Sequence, residues 1–162
     1  MKILVVGGGG REHAIVRKLK ENPRVETIYC APGNGGISAD AVCVPIKATD
    51  LEGMAQFARQ EGIDFAVVTP DDPLVLGMVD ALNAQGIATF GPNRAAARIE
   101  GSKVFAKDLM KKYGIPTADY QVFSDPGEAL DYIRAQGRYP AVIKADGLAL
   151  GKGVLIAQSE QE

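Results

Sequence analysis

The apolar run Ile3-Leu4-Val5-Val6 passes without a spacer into four consecutive glycines, Gly7 to Gly10. A short apolar run bounded by glycine reads as a buried strand followed by a tight turn. Four glycines in a row lose more backbone entropy on folding than a plain turn requires. They are favoured where backbone N–H groups at a helix N-terminus must face an anion; a turn without a ligand is the alternative. Arg11 and His13 follow at once, and Ala14, Ile15 and Leu19 keep helical spacing as far as Pro23.

The same alternation continues. Val25–Cys30 reads as a second strand, and Pro32-Gly33-Asn34-Gly35-Gly36 as a loop. Thr49-x-x-Glu52 predicts a capping box opening a helix through Arg59. Phe65–Val68 is a clear strand. Asp72-Pro73 supplies an N-cap and a first-turn proline for a helix to about Ala84, and Ile87–Phe90 is a further strand ended by Gly91-Pro92. Short apolar strands separated by amphipathic helices imply a parallel sheet covered on both faces. Right-handed crossovers make it an α/β, Rossmann-like, doubly wound unit.

After Pro92 the pattern changes. Ser102 is placed to cap a helix with Phe105 and Leu109 on one face and Lys103, Lys107 and Lys111 on another, ended by Gly114 as the left-handed residue. A strand at Tyr120–Phe123, a helix from Asp125-Pro126 to Gln136, and strands at Ala141–Lys144 and Val154–Ala157 are predicted next. Between the last two lies the glycine-rich segment Gly147-Leu148-Ala149-Leu150-Gly151-Lys152-Gly153.

Two nucleotide fingerprints are absent. G-x-G-x-x-G fails because its third glycine falls on Glu12 or His13, and Cys30-Ala31-Pro32 stands where an acidic residue belongs, which argues against NAD. The Walker A pattern fails because Gly147 and Gly151 are separated by three residues, and Gly153, not Ser or Thr, follows Lys152. A glycine-rich hairpin between two strands suits a flap over a triphosphate, with an ordinary hairpin as the alternative. Lys144, in an otherwise apolar strand, is costly to bury unless it meets an anion; a pair with Asp146 or an exposed edge position is the plainer reading. The other lysines read as a solvated basic face.

Composition narrows the setting. A net charge of −2 offers no basic excess for nucleic acid, and 46% apolar residues over 162 positions allow a sizeable core. Cys30 and Cys43 lack metal-pair spacing and read as small buried hydrophobes in a reducing compartment. No apolar run near the N-terminus is long enough for a signal core or a membrane span, so a cytoplasmic setting is expected.

Five segments, in order and in register, resemble the phosphoribosylamine–glycine ligase family. They are Gly7–Ala14, Ala31–Gly36, Gly101–Lys107, Tyr113–Ala118 and Ile143–Val154. The resemblance implies an ATP-grasp ligase of purine biosynthesis. Such an enzyme joins glycine to 5-phosphoribosylamine through glycyl phosphate, giving glycinamide ribonucleotide, ADP and phosphate. It implies an N-terminal domain over residues 1–101, the start of the central ATP-grasp domain over 102–119, and part of the lid over 120–162. It assigns ATP to Lys103, Lys144, Gly147, Leu148, Ala149, Gly151, Lys152 and Gly153. It assigns the phosphoribosylamine or glycine site to Gly8, Gly9, Gly10, Arg11, Glu12, His13, Pro32, Gly33, Asn34 and Asp71. Magnesium or manganese ligands, and any fused purine-pathway domains, are expected downstream, so the chain alone is expected to be inactive. One departure stands out: the family usually reads Gly-Pro-Glu where this chain has Thr69-Pro70-Asp71. Another ATP-grasp carboxylate–amine ligase, a biotin-dependent carboxylase subunit, or a non-catalytic nucleotide-binding module are the competing readings.

Overall fold

Strand β1 (Lys2–Gly7) is buried from Ile3 through Gly7. It pairs in parallel with β2 (Thr27–Pro32) on one side and β4 (Phe65–Val68) on the other. The edges are β3 (Val42–Cys43) beside β2 and β5 (Ala88–Phe90) beside β4, giving the all-parallel order β3-β2-β1-β4-β5. The computed structural model describes residues 1–148 and 153–162.

Side chains of β1 alternate between two cores, as a pleated strand demands. Leu4 and Val6 join Met54, Ala58, Met78 and Leu82. These come from α2 (Leu51–Glu61) and α4 (Met78–Ala84). Ile3 and Val5 join Val16 of α1 (Gly10–Lys20) and Ile37 of a 3-10 turn on the opposite face. Both faces are therefore covered, and the predicted doubly wound sheet is what forms.

Local details differ from the sequence reading. Helix α2 is capped by Asp50, whose side chain accepts from Gly53 N at 2.9 Å, not by Thr49. Asp72 does not cap: Pro70 precedes α3 (Asp71–Leu76), and both aspartates lie in its first turn, where acidic side chains favour the helix dipole. The predicted helix to Ala84 is two, broken at Gly77, whose φ of +102° is a left-handed-region value. Helix α5 (Arg94–Gly101) and strand β3 are additions that the sequence pattern does not predict.

The chain divides into two compact units, Met1–Arg98 and Ile99–Glu162. In the second, Ser102 caps α6 (Lys103–Lys112) by accepting from Phe105 N at 3.1 Å. The helix ends with Ile115 N–H on Met110 O and Gly114 N–H on Lys111 O, a Schellman pair around Gly114 at φ +64°. Helix α7 (Pro126–Gln136) is capped by Asp125. Strands β6 (Ala141–Lys144) and β7 (Val154–Ala157) form an antiparallel hairpin. The segment 120–123, expected as a strand, has no regular structure. No helix among the described residues is long and apolar enough to cross a membrane.

Candidate functional site

Connections from β1 run outward through β2 to β3, then cross back to β4. The topological switch point therefore lies between β1 and β4, and ligands of open α/β sheets bind in the crevice outside such strand ends. Three loops meet at that end of the sheet: Gly7–Gly10 after β1, Pro32–Asn34 after β2, and Thr69–Asp71 after β4.

The first two loops touch through backbone. Gly33 N–H donates to Gly7 O at 3.0 Å, and Asn34 Nδ2 donates to Gly8 O at 2.7 Å. A Cβ on Gly8 would stand 2.6 Å from Gly33 O, so only glycine admits this approach. Asn34 Oδ1 accepts from Gly36 N and Ile37 N at 2.8 and 2.9 Å, turning the loop into its 3-10 continuation. Gly33 itself has φ +69° and lies against the Cys43 thiol.

The six residues assigned to the glycine loop divide by role. Gly9, Gly10 and Arg11 are exposed at the start of α1. Gly10 and Arg11 open the helix, so no earlier turn can satisfy their N–H groups. Gly8 is half-buried beneath Gly33. Glu12 is turned inward at 3% exposure. Its Oε2 accepts from Gly9 N at 2.7 Å and its Oε1 from the Thr69 hydroxyl at 2.7 Å. Its carboxylate therefore braces the loop from below, a placement the sequence did not reveal. Pro32 and Asn34 are exposed at the crevice, and Asp71 is half-buried in the first turn of α3.

His13 is half-buried, with Nε2 3.0 Å from Asp40 Oδ2, and Lys20 Nζ is 2.8 Å from Asp40 Oδ1. Lys20 and then His13 bring the Asp40 carboxyl from 3.8 down to about 2. A lowered folded-state value stabilises the fold above the unfolded value and withdraws that stability as pH falls through the folded one. Thermal melts are therefore expected to lose the Asp40 contribution as pH drops from about 4 towards 2. The Asp40→Asn variant is expected to lack that step, and an unchanged acid profile in the variant contradicts this role.

Both cysteines are free, Cys30 buried and Cys43 half-buried. Burial, then the nearby Cys43, push the Cys30 thiol up to about 12, which leaves it an inert thiol. Among the described residues, no three His, Cys, Asp or Glu side chains gather into a group able to hold a metal ion.

In the second unit, Lys103 and Lys144 line one groove of about 940 Å³, together with Lys107, Val142, Ile133 and Asp146. Lys103 Nζ donates to Gly147 O at 3.0 Å. Asp146 accepts from Val104 N at 3.2 Å and from Ser102 Oγ at 3.1 Å, which ties the start of the glycine-rich hairpin to the first turn of α6. Those bonds, led by the Val104 N–H, hold the Asp146 carboxyl below its ordinary range. Lys144 takes the exposed edge position left open by the sequence: it is exposed, as are Val142 at 56% and Ile143 at 41%, so no burial cost demands an anion beside it. Leu148 is half-buried and Gly153 lies just before β7, whereas Ala149, Gly151 and Lys152 of the expected flap lie outside the described residues.

The family model described as phosphoribosylglycinamide synthetase, N domain, matches residues 1–100, and that of the ATP-grasp (A) domain matches residues 101–162. The phosphoribosylamine–glycine ligase of Agrobacterium fabrum is 51% identical over 162 residues, covering 100% of this chain and 38% of its own length. That of Caldanaerobacter subterraneus subsp. tengcongensis is 54% identical over 158 residues, covering 98% and 38%. The crystal structure of phosphoribosylamine–glycine ligase from Thermotoga maritima superposes with a TM-score of 0.76 at 34% identity, covering 99% of this chain and 37% of that one. The biotin carboxylase domain of Hydrogenobacter thermophilus 2-oxoglutarate carboxylase superposes with a TM-score of 0.79, covering 99% and 38%. At 20% identity it speaks for the fold alone.

Proposed function

Because the chain belongs to the phosphoribosylglycinamide synthetase family, matched over residues 1–100 and 101–162, we propose that it forms part of an ATP-dependent ligase joining glycine to 5-phosphoribosylamine. The observation that carries this reading is the meeting of the Gly8–Gly10, Gly33–Asn34 and Thr69–Asp71 loops at the switch point. The chain spans 38% of the length of the relatives it matches, so the full reaction belongs to a larger set of residues than these.

In this reading the sugar phosphate lies in the crevice of the first unit. The N–H groups of Gly10 and Arg11, at the positive end of α1, receive its anionic end. The Arg11 guanidinium adds charge from the exposed side, and Pro32 and Asn34 form the neighbouring wall. Asp71 stands at the third wall, suited to a hydroxyl or an amine. Glu12 and Gly8 shape the loop, and His13, bonded to Asp40, fixes the first turn of α1 against the loop at Gly36.

Glycine's carboxylate is a poor electrophile, and ATP supplies the phosphoryl group that converts it to glycyl phosphate. Lys103 and Lys144 neutralise phosphate charge in the groove, where phosphoryl transfer depends on positioning and electrostatics. By the family resemblance, Gly147, Leu148 and Gly153 belong to a flap that keeps water from the acyl phosphate. Magnesium or manganese would neutralise the remaining phosphate charge. Domain limits at 1–101, 102–119 and 120–162 and a cytoplasmic setting complete the proposal.

The test is ADP release by the enzyme that carries this sequence, with glycine and phosphoribosylamine supplied separately and together. Turnover only with both is expected. Turnover with bicarbonate in place of glycine, or with an amine unrelated to phosphoribosylamine, assigns the chain to a different ligase.

A further inference from the structure

Glu12 is the one charged side chain buried among the described residues. A buried carboxylate is tolerated only when its oxygens are matched by donors. Both are matched, and the two donors come from different loops: Gly9 N from its own turn, and Thr69 Oγ1 from a position 57 residues later. Val6 and Val68 are register partners, so the chain leaves β1 at Gly7 and β4 at Thr69 side by side. Gly7, at φ +128°, is wedged between them: a Cβ there would lie 2.7 Å from Glu12 Cγ and 2.8 Å from Pro70 Cγ.

We propose that Thr69 is a positioning residue: through its hydrogen bond to Glu12 it locks the β4 loop to the glycine loop across the switch point and sets which N–H groups of that loop face a ligand. The orientation follows from donor accounting. With Oε1 anchored by Thr69, Oε2 is aimed at Gly9 N and occupies it. Gly9 is thereby withdrawn from the ligand, and the N–H groups of Gly10 and Arg11 remain outward. The same anchoring keeps the carboxylate beneath the turn, away from the anion that the turn is built to receive. Without the Thr69 hydroxyl, Oε1 has no donor in the interior and the carboxylate swings towards solvent, releasing Gly9 and bringing negative charge to the ligand side.

The effect on ligand rests on the sugar-phosphate reading above, whereas the lock itself does not, and two readouts separate them. The first is amide hydrogen exchange at Gly9 in the 162-residue chain. Thr69→Val keeps the shape and removes the donor, and Thr69→Ser keeps the donor. Gly9 exchange is expected to quicken about tenfold in Thr69→Val, relative to amides of β1 such as Val5, and to return in Thr69→Ser. The second is calorimetric titration with ribose 5-phosphate, whose affinity is expected to weaken about tenfold in Thr69→Val and recover in Thr69→Ser. Glu12→Gln supplies a second route if the valine variant folds poorly. Its amide oxygen can satisfy Thr69 or Gly9 in the original manner but not both, so combining it with Thr69→Val is expected to add less than the sum of the two. Gly9 protection unchanged in Thr69→Val, or a fall confined to global stability, overturns the lock. Wild-type chain that does not bind ribose 5-phosphate while Gly9 exchange follows the Thr69 hydroxyl supports the lock and removes the sugar-phosphate site.

Discussion

Replacing Gly8 by alanine is expected to lower the stability of the first unit by about 1–3 kcal/mol, the usual cost of forcing an extra methyl into a packed site, and to weaken ribose 5-phosphate binding by at least about tenfold. The added Cβ would stand 2.6 Å from Gly33 O and 3.2 Å from Gly33 C, both backbone atoms that cannot rotate aside. One loop must therefore retreat, and the bonds Gly33 N–Gly7 O and Asn34 Nδ2–Gly8 O lengthen with it. Gly10→Ala makes the contrast. Nothing lies within 4 Å of a Cβ there, and the residue opens α1. Stability is expected to hold or rise by about 0.5–1 kcal/mol, because alanine has less backbone entropy to lose. Chemical denaturation of both variants, followed by calorimetric titration, reads the two effects separately. Equal stability for Gly8→Ala and wild type contradicts the close approach of the loops.

The elements that sequence revealed are those whose causes are local. β1 is an apolar run closed by glycine. Helix α6 carries its own cap at Ser102 and its own stop at Gly114, and α7 has Asp125-Pro126 at its start. What stayed hidden depends on distant partners. Strand β3 is two residues long and exists because Val42 and Cys43 pair with Tyr29 and Cys30. Residues 120–123 have strand-like composition, yet they join neither sheet among the described residues. The cap predicted at Thr49 falls instead to its neighbour Asp50, whose side chain reaches Gly53 N.

The candidate site follows the same division. The glycines of Gly7–Gly10 and Gly33–Gly36 mark two of its three walls by composition alone. The third wall depends on the strand order, because only the crossover from β3 to β4 brings Thr69 beside Gly7. Glu12 shows the limit most clearly. In sequence it is an acidic residue in a motif, suited to a ligand. In the fold it is an internal brace, because its second partner lies 57 residues away.

Lysine variants of the second unit are expected to sort into three behaviours, and Lys144 gives the kinetic effect with no loss of stability beside it. Lys144→Met is expected to cut kcat/KM for ATP by about 10²–10³, the scale seen when one charge-stabilising group is removed from a transition state. Its stability is expected to stay within about 0.5 kcal/mol of wild type, since the side chain is exposed. Lys103→Met is expected to show a comparable kinetic loss together with about 1 kcal/mol of destabilisation, because Lys103 Nζ also holds Gly147 O at 3.0 Å. Lys107→Met is expected to affect stability with little kinetic consequence. Two of its three N–H donors are taken by Thr117 Oγ1 at 2.7 Å and Ala118 O at 2.8 Å, so it fastens the segment after α6. Steady-state kinetics against ATP and thermal melts of the enzyme carrying each change separate the three. A Lys144→Met enzyme with wild-type kcat and KM returns that residue to the role of an exposed lysine on a hairpin strand, and leaves Lys103 as the groove's phosphate-facing charge.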